Sequence, residues 1–465
     1  MLYKPAPIIE EKGEDYFIPA HPQPREAEAG FLQVLLGARY SLIDNWMRET
    51  YRSGVDSFRI LRRQVVVANS PESVKYVMVT RHANFERKSP QMRRALEVLL
   101  GDGLFISDGA TWMRRRPLVA DLVHKKRLPE FAPTMEGVVD AMVERWSSLP
   151  QDVEFELIAE MAALTAEIIS RTVFGRNLGS EAASQVIEGF GAYQSAIDSF
   201  NLPYWLGADE GWPVFHTPRM RRAIAQVHAV IDGVIEAHLA GGGDQGSMID
   251  LLIKRNQRSP ELALDLTALR NEAATIFMAG HETTATTLAW AWYLISHAPW
   301  IEQRLHAEIA DACGDRPVRL SDLPRLPWCR AVILETLRLY PPVPLLPRQA
   351  READRIGAID VEKGALVMVA PWLLHRAEDL WDRPNHFRPE RFVNDEKIDP
   401  FVFIPFSVGP RICAGLNFGQ DETVLCLAGL AQRFRVRPRP GYRINPVCRL
   451  TLRPEQGIPV TVQPR

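Results

Sequence analysis

The sequence predicts a mainly α-helical protein with small β-sheets, an α+β fold that forms one large domain over residues 1–465. Between about residue 100 and residue 340, the apolar residues mostly recur with the i, i+3, i+4 spacing of helices. Strand-like runs are few and short. Strands do not alternate with helices, and no Gly-x-Gly-x-x-Gly follows a strand, so a doubly wound parallel sheet is not expected.

Helical spacing is clearest in a series of segments within the region from residue 100 to residue 340. They are residues 136–146, 158–174, 220–239, 273–295, 301–312 and 329–340. The segment 273–295 is the most apolar long stretch, but His281, Glu282 and several threonines interrupt it. It is therefore expected to be a buried helix and not a membrane span.

Strands are expected near the N-terminus, between residues 340 and 375, and close to the C-terminus. Residues 64–68 are a short apolar run, and residues 365–369 follow a turn at Glu362-Lys363-Gly364. Residues 450–452 and 459–462 flank Glu455-Gln456-Gly457, and this arrangement predicts a C-terminal hairpin.

Composition excludes several classes of protein. The formal net charge of -2 implies no general affinity for nucleic acid. Five scattered cysteines without a Cys-x-x-Cys form neither a disulfide framework nor a zinc site, and they suit a reducing compartment. The first residues, MLYKPAPIIEEKGEDYF, lack the apolar run of a signal peptide or anchor. We therefore expect a cytoplasmic protein without a membrane anchor.

Cys413 lies in an unusual loop, Phe406-Ser407-Val408-Gly409-Pro410-Arg411-Ile412-Cys413-Ala414-Gly415. A thiolate that ligates a metal needs backbone N–H groups and positive charge nearby. Glycines allow tight turns and close approach to a flat cofactor. Arg411 can bind a carboxylate with its planar fork of donors. An isolated cysteine is usually a buried structural residue, but these coinciding residue types favour a loop that holds haem iron through sulfur.

A second pattern, Ala279-Gly280-His281-Glu282-Thr283-Thr284, lies in the middle of the apolar helix at residues 273–295. Glycine and consecutive threonines are poor helix formers, and a glycine in a helix interior costs about 1 kcal/mol. Such a departure from local preference is expected at functional sites. Gly280 permits a flat group to pack on the helix, and Glu282 followed by Thr283 is suited to proton delivery. The alternative is a helix that is kinked for packing.

Residues 406–415 resemble the haem-binding signature Phe-x-x-Gly-x-Arg-x-Cys-x-Gly of the cytochrome P450 superfamily, and residues 279–284 resemble its oxygen-activation motif. The resemblance implies the cytochrome P450 fold around a buried haem b, with the Cys413 thiolate as axial ligand. It implies that Thr283 stabilises the activated-oxygen intermediate and that Glu282 helps relay protons to it. The same resemblance places Ala279 and Gly280 over the haem face and Phe406 and Gly415 beside the cysteine.

The resemblance also implies contacts with the haem propionates. Trp112 and Arg116 lie at i, i+4 on one helix, and Arg348 and Arg411 are further candidates. Without the resemblance, Arg114-Arg115-Arg116 is typical of an exposed basic helix. His124, on the same predicted helix as Trp112, is expected to be a neighbour of the haem.

Three further residues are expected to have a structural role. Glu335 and Arg338 can pair at i, i+3 on a helix, although a surface pair of this kind stabilises little. The segment Pro389-Glu390-Arg391-Phe392 has the form seen in the family, so the resemblance implies a buried ion network of Glu335, Arg338 and Arg391 that fixes the loop leading to Cys413.

The resulting hypothesis is a monomeric, soluble bacterial-type monooxygenase that uses O2 to hydroxylate or epoxidise an apolar substrate such as a fatty acid, terpenoid, steroid or aromatic. No reductase segment is fused to it, so a separate ferredoxin or flavodoxin with an NAD(P)H-dependent reductase is expected to supply electrons. This partner would bind a basic face of Arg114, Arg115 and residues 125–127. The alternatives are a peroxygenase, a non-oxidative haem-thiolate enzyme or a non-catalytic haem sensor.

The substrate pocket is predicted from position within the family. Residues 190–212 are expected to form a lid, and its aromatic members are Phe190, Phe200, Tyr204, Trp205 and Trp212. The pocket walls are expected to include Leu104, Phe105, Val343, Leu345 and Leu346. An apolar lining of this kind is compatible with many substrates.

Overall fold

A computed structural model describes residues 5–27, 36–37, 39–150, 152–175, 185–186, 188–191, 193, 202–207, 217–243, 245–258, 264–393 and 397–465. The long helices are α1 (Pro90–Leu100), α2 (Gly109–Leu122), α3 (Leu128–Ser147), α4 (Leu157–Val173), α5 (Pro218–Leu239), α6 (Met248–Arg258), α7 (Leu266–His297), α8 (Pro299–Cys313), α9 (Pro327–Leu339) and α10 (Leu416–Ala431). Shorter helical turns span Arg48–Tyr51, Pro71–Lys75, Tyr76–Thr80, His82–Phe85, Lys125–Arg127, Leu202–Trp205, Leu320–Arg325, Pro371–Leu374, Pro389–Phe392 and Gly409–Arg411.

Local sequence explains where several of these helices begin. Ser89 caps α1 by accepting a hydrogen bond from the Met92 N–H at 3.3 Å, and Pro90 follows at the first helical position. Asp265 caps α7 in the same way, with a distance of 2.7 Å to the Ala268 nitrogen. Each helix predicted from apolar spacing is present, and most begin a few residues earlier than predicted because capping residues and proline extend the first turn.

Helix α7 forms the centre of the molecule. Its 32 residues correspond to a length of about 48 Å at 1.5 Å per residue. It packs against α4, α5, α9 and α10, and most of its side chains are buried. Trp290 of α7 stacks on Tyr340 with ring centroids 3.9 Å apart. The predicted buried helix at residues 273–295 is thus confirmed as a helix of the core.

Short strands surround this helical body. They are β1 (Ile8–Lys12), β2 (Phe17–Pro22), β3 (Val55–Ile60), β4 (Arg63–Ala68), β5 (Phe155–Glu156), β6 (Leu346–Gln349), β7 (Asp354–Ile356), β8 (Ile359–Val361), β9 (Leu366–Val369), β10 (Phe434–Pro438), β11 (Pro446–Cys448), β12 (Leu452–Pro454) and β13 (Pro459–Pro464). The largest sheet has the order β3-β4-β9-β6, in which β4 and β9 are parallel and the other pairs antiparallel. It joins the N-terminal strands to the region between residues 340 and 375, as the short apolar runs predicted.

The predicted C-terminal hairpin is wrong. Strand β12 pairs with β11, whereas β13 pairs with β10 and β5, so the two runs belong to different sheets. The Leu452 N–H donates to the Pro342 carbonyl at 3.0 Å, and this contact draws β12 toward the chain that follows α9. Turn residues between two apolar runs are therefore not sufficient to pair them.

The fold is a single-domain α+β arrangement, mainly helical with small sheets, as predicted. In the parts of the chain that the structure describes, no helix has the length and apolarity that crossing a membrane requires.

Candidate functional site

A large cavity lies between α7 and the loop that carries Cys413. One wall is formed by residues of α7, including Ala279, Gly280 and Thr283. The opposite wall contains Phe406, Cys413 and the residues between them and α10. Sequence reasoning identified both walls, which are separated by about 130 residues of chain, and the fold brings them together across the cavity.

The conformation of the Cys413 loop depends on two left-handed residues. Ser407 has φ 63° and Gly409 has φ 76°. A Cβ on Gly409 would lie 2.3 Å from the Met78 carbonyl oxygen, so only glycine permits this close approach. The Cys413 N–H donates to the Phe406 carbonyl at 2.8 Å, and this bond closes the loop.

Cys413 is exposed, and it lines the cavity. Desolvation by the surrounding protein raises the pKa of its thiol, while a hydrogen bond from the Gly415 backbone and the charge of Arg116 lower it in part. A thiol in such surroundings is stabilised as a thiolate once a metal cation is bound to it.

Cationic side chains gather at one edge of the cavity. Arg116 and Arg348 line it together with Arg411, whose guanidinium stacks 4.1 Å above the Trp112 ring. Burial lowers the pKa of Arg348 to about 10, with the charge of Arg411 adding to the effect. Burial is also the main cause of the lowered pKa values of Arg116 and Arg411.

Arg411 is only partly satisfied by protein groups. It donates to the Ser107 carbonyl at 2.7 Å and pairs with Glu86 at 3.2 Å. Its buried Nε has no acceptor among the described residues. An unpartnered N–H in a cationic cluster is suited to an anionic ligand group.

Lys88 belongs to the same cluster, and sequence reasoning missed it. It lines the cavity, and its Nζ donates to the Phe105 carbonyl. Burial lowers the pKa of Lys88 well below its usual value, and the charges of Arg348 and Arg411 lower it further. A single lysine carries no sequence signal, because only the fold places Lys88 beside Arg348 through an isolated β-bridge.

On the opposite wall, the Thr283 hydroxyl donates to the Ala279 carbonyl at 2.6 Å. Helix α7 is continuous through the threonine pair, and this bond holds the hydroxyl at the cavity surface. Gly280 permits α4 to approach closely, since a Cβ there would lie 2.8 Å from Ile169 Cδ1. The structure thus places all three predicted residues of this wall at the cavity.

Glu282 also lines the cavity, but its carboxylate is directed toward the C-terminal strands. It accepts a hydrogen bond from the Thr451 hydroxyl at 2.5 Å and pairs with Arg453. The Glu282 side chain is 9% exposed, whereas that of Arg453 is 43% exposed. These three residues therefore connect the buried cavity wall to the protein surface, and neither Thr451 nor Arg453 was predicted.

A second acid in the cavity wall was also missed. Glu422 of α10 is fully buried, and neither of its carboxyl oxygens has a hydrogen-bond partner among the described residues. Burial raises its pKa well above the ordinary value. Burial therefore favours the neutral acid, which can donate a hydrogen bond into the cavity. Glu422 lies about two turns into α10, and the sequence around it does not distinguish it from a glutamate on the surface.

The predicted ion network is present behind the cysteine loop. Arg338 and Glu335 are fully buried and pair through two hydrogen bonds of 2.7 and 2.8 Å. Arg391 joins Glu335 at 3.2 Å, and Arg338 also donates to the His375 carbonyl at 2.7 Å. His375 accepts a hydrogen bond from the Ile404 N–H at 2.9 Å, which ties the network to the segment just before Phe406. Buried charges at this spacing stabilise only because every partner is present.

Two expectations change with the structure. His124 is exposed, lies outside the cavity and accepts a hydrogen bond from the Lys126 N–H, so its position does not support a haem contact. Arg115 is buried and pairs with Asp102 and Glu272, so it is not part of an exposed basic face. The rotation of 100° per helical residue explains this separation of Arg115 from Arg114 and Arg116.

The predicted pocket walls are largely present, while the predicted lid is only partly described. Leu104, Phe105, Val343 and Leu346 line the cavity, and Leu345 is buried in the main core. In the lid, Phe190 packs on Phe277, and Tyr204 and Trp205 pack on Val65 and Leu366 of the sheet. Phe200 and Trp212 lie outside the described residues.

The residues around the cavity fit a haem. The Cys413 thiol faces Ala279 and Gly280 of α7 across it. One edge of the cavity is lined by the basic residues Lys88, Arg116, Arg348 and Arg411. Burying this many cations together is unfavourable unless anions accompany them. Two propionates provide such anions, and the Arg411 Nε offers them a free donor.

Comparisons with known proteins agree with this interpretation. The family model for cytochrome P450 matches residues 22–462. The chain is 32% identical over 403 residues to cyclooctatin synthase of Streptomyces melanosporofaciens, covering 85% of each chain. It is 28% identical over 396 residues to a cytokinin hydroxylase of Arabidopsis thaliana, covering 83% of this chain and 76% of the relative. The crystal structure of the cytochrome P450DA haem domain superposes with a TM-score of 0.74 at 24% identity, with 89% of each chain covered.

The chain belongs to the cytochrome P450 family. It is a haem-thiolate monooxygenase, with haem held by a cysteine thiolate and electrons received through a redox partner.

The close approach of Gly409 to Met78 yields a testable prediction. A left-handed conformation costs an L residue about 1–2 kcal/mol before any steric clash is counted. We expect Gly409→Ala to lower the free energy of unfolding by about 2 kcal/mol or more and to reduce haem content. Chemical denaturation and Soret absorbance measure the two effects. Gly54→Ala is the matched control, because nothing lies within 4 Å of a Cβ added there; equal losses in both variants would contradict the prediction.

Proposed function

We propose that this protein inserts one oxygen atom from O2 into an apolar small molecule, with Cys413 as the axial ligand of haem b. The observation that carries the proposal is the position of the Cys413 sulfur, which faces Ala279, Gly280 and Thr283 across one cavity. When bound, the haem supplies the iron at which O2 is activated, and its thiolate ligand promotes O–O cleavage. The protein supplies the thiolate, the cationic edge, the substrate wall and the protons.

Apolar side chains on the α7 side of the cavity support an apolar substrate. They are Met92, Leu96, Leu104, Phe105, Ile169, Met248, Ile276, Met278, Val343, Leu346 and Leu450. Such a wall binds hydrocarbon by removing it from water, with roughly 25 cal/mol gained per Å² of apolar surface buried. It also excludes water from the reacting centre, which strengthens electrostatic interactions there.

Proton delivery is assigned to Thr283 and Glu282. The Thr283 hydroxyl donates its hydrogen to the Ala279 carbonyl, so its oxygen is free to accept a hydrogen bond from a proton donor in the cavity. Glu282 is the next residue of α7, and its carboxylate reaches Thr451 and the half-exposed Arg453. This arrangement supports a route for protons from solvent through Glu282 to the Thr283 hydroxyl.

Thr283→Ala tests the proton route. We expect the variant to keep its haem and to consume NAD(P)H with a reductase system, while the fraction of electrons recovered in product falls about tenfold to hundredfold. The measurement compares product with NAD(P)H consumed, using a substrate found in a spectral binding screen. Thr286→Ala is the control, because its hydroxyl donates to the Glu282 carbonyl at 2.9 Å in the same way but does not line the cavity.

Undiminished coupling in Thr283→Ala would exclude the proposed role of its hydroxyl. Product formed from peroxide alone, and none with reductase and NAD(P)H, would instead indicate a peroxygenase. Absence of product in both assays would favour a non-oxidative enzyme or a sensor.

We further infer that electrons arrive from a separate ferredoxin or flavodoxin that binds near Lys125 and Lys126. Both lysines are exposed and follow α2, the helix that presents Trp112 and Arg116 to the cavity. Arg114 is exposed on the same helix. An acidic carrier would be attracted to these cations and brought close to the cationic edge of the cavity. The monomeric state and the cytoplasmic location stay predictions.

Charge reversal tests this docking face. In the variant with Lys125→Glu and Lys126→Glu, we expect the rate of reduction by an acidic ferredoxin to fall about tenfold or more at low ionic strength. The difference from wild type should shrink as salt screens the charges. A variant with Lys12→Glu and Lys363→Glu makes the same charge change at exposed positions away from α2 and serves as the control. Equal reduction rates in both variants would contradict the docking site.

A further inference from the structure

The turn between α1 and α2 forms part of the substrate wall. Its residues Leu104 and Phe105 line the cavity, and both helices that flank it are anchored elsewhere in the core. Within the turn, the Ile106 and Ser107 N–H groups both donate to the Gly103 carbonyl, at 3.1 and 3.0 Å, so the turn is held as a unit whose position depends on its contacts with the rest of the protein. What holds the turn therefore determines the shape that a substrate meets.

A charged cluster, composed of the buried Glu272 and Arg115 and the exposed Asp102, holds this turn against α7. The Leu104 N–H donates to Glu272 Oε2 at 3.2 Å, and Arg115 pairs with Glu272 Oε1 at 3.1 Å. Arg115 also binds both carboxylate oxygens of Asp102, each at 2.8 Å, and the Asp102 carbonyl at 2.7 Å. The Glu272 side chain is 1% exposed, so these contacts are made without competition from bulk water.

The backbone of the turn also packs directly on α7. A Cβ on Gly103 would lie 2.2 Å from Thr275 Oγ1 and 2.8 Å from the Asn271 carbonyl oxygen. A Cβ on Gly101 would lie 2.1 Å from Asn271 Nδ2, and this glycine has φ 54°. Asn271 itself donates to Asp102 Oδ1 at 2.9 Å. Close packing and hydrogen bonds thus fix the same short segment to one face of α7.

We propose that Glu272 is a positioning residue for substrate recognition, which fixes Leu104 and Phe105 in the cavity wall through Arg115, Asp102 and the Leu104 N–H. This inference rests on the proposed function, since the wall in question is that of the same haem cavity. Glu272 touches neither substrate nor haem. It acts through the turn, so its loss changes the binding of large ligands and leaves the binding of small ones intact.

The protonation state of Glu272 makes this positioning depend on pH. Burial raises its pKa to about 7, although Arg115 and the Leu104 N–H act in the opposite direction. Above that pH the carboxylate pairs with Arg115, and below it the neutral acid loses the ion pair. The effect of pH on global stability is opposite to its effect on the position of the turn. Because the pKa of Glu272 is raised in the folded protein, the stability that this group contributes is lost as pH rises through 7.

Other charged groups lie on the helices near the turn. They include Arg93, Arg94 and Glu97 of α1, His228 and Asp232 of α5, and Asp250 and Lys254 of α6. Asp232 pairs with Arg270, and Asp250 with Lys254, each at 2.7 Å. Burial lowers the pKa of His228, so it stays neutral above about pH 6.5.

Glu272→Gln in the haem-loaded protein tests the proposal with two ligands that bind iron through an azole nitrogen. Imidazole is too small to contact the turn, whereas clotrimazole extends a large apolar body along the cavity wall. At pH 8 we expect the variant to bind clotrimazole about fivefold or more weakly than wild type, because an acceptor for a charged donor is lost. At pH 6 the two proteins should agree within about twofold, because wild-type Glu272 is then protonated. Imidazole affinity should be equal in both proteins at each pH.

Two further measurements separate positioning from a general loss of structure. Hydrogen exchange of the peptide that spans residues 101–107 should be faster in the variant at pH 8. The melting temperature should be unchanged or higher, because the variant lacks the buried carboxylate whose ionisation lowers the stability of the wild type at this pH. Glu236→Gln, at an exposed position of α5, is the control. If Glu272→Gln does not load haem, Asp102→Asn tests the same cluster from its exposed end, since the Asp102 side chain is 58% exposed.

Equal clotrimazole affinities in variant and wild type at pH 8 would overturn the proposal. A lower melting temperature together with weaker imidazole binding would also overturn it, because it would indicate a merely structural role. Failure of the wild type to take up haem or bind either azole would contradict the proposed function itself, so the two failures are distinguishable.

Discussion

The position of the Cys413 sulfur at the floor of a deep cavity, directly opposite the central helix, is the constraint on which the rest of the structure depends. The loop that carries it needs two left-handed residues, one of which must be glycine to pass the Met78 carbonyl. Its entry is fixed by the buried pair of Glu335 and Arg338 through His375 and Ile404. Removing either member of that pair would leave an uncompensated buried charge, which costs about 3–5 kcal/mol.

Charge placement follows from the same constraint. Lys88, Arg116, Arg348 and Arg411 are unfavourable neighbours, and each has a pKa lowered mainly by burial. The unfavourable burial of these basic side chains can be compensated by an anionic edge of the haem at the same place. The acids of the cavity wall, Glu282 and Glu422, lie on the other walls. The cavity thus separates a cationic edge for holding the cofactor from acidic groups suited to moving protons.

Local sequence predicted many of the elements and most of the motif residues, because both are short-range properties. Helical spacing predicted α3, α4, α5, α7, α8 and α9 but missed α1, α6 and α10. The residues around Cys413 and Thr283 departed from local preference strongly enough to be noticed. The missed residues, among them Lys88, Arg453 and Glu272, are ordinary charged residues whose role arises only from contacts across more than a hundred positions. The C-terminal hairpin was wrong for a related reason, since β13 pairs with β10 and with the distant β5, and β12 pairs with β11. Arg115 illustrates the limit of prediction from local sequence. Three adjacent arginines indicate a basic face, but the geometry of the helix places their side chains in different surroundings.

Iron K-edge X-ray absorption of the haem-loaded protein tests the central claim most directly. If Cys413 is the axial ligand, the spectrum of the wild type requires one sulfur scatterer in the first coordination shell, and this scatterer is absent in Cys413→Ser. Cys448→Ser, which removes a buried thiol on β11 outside the cavity, should leave the sulfur scatterer unchanged. A first shell of nitrogen and oxygen alone in the wild type, or a sulfur scatterer that survives in Cys413→Ser, would contradict the assignment of Cys413.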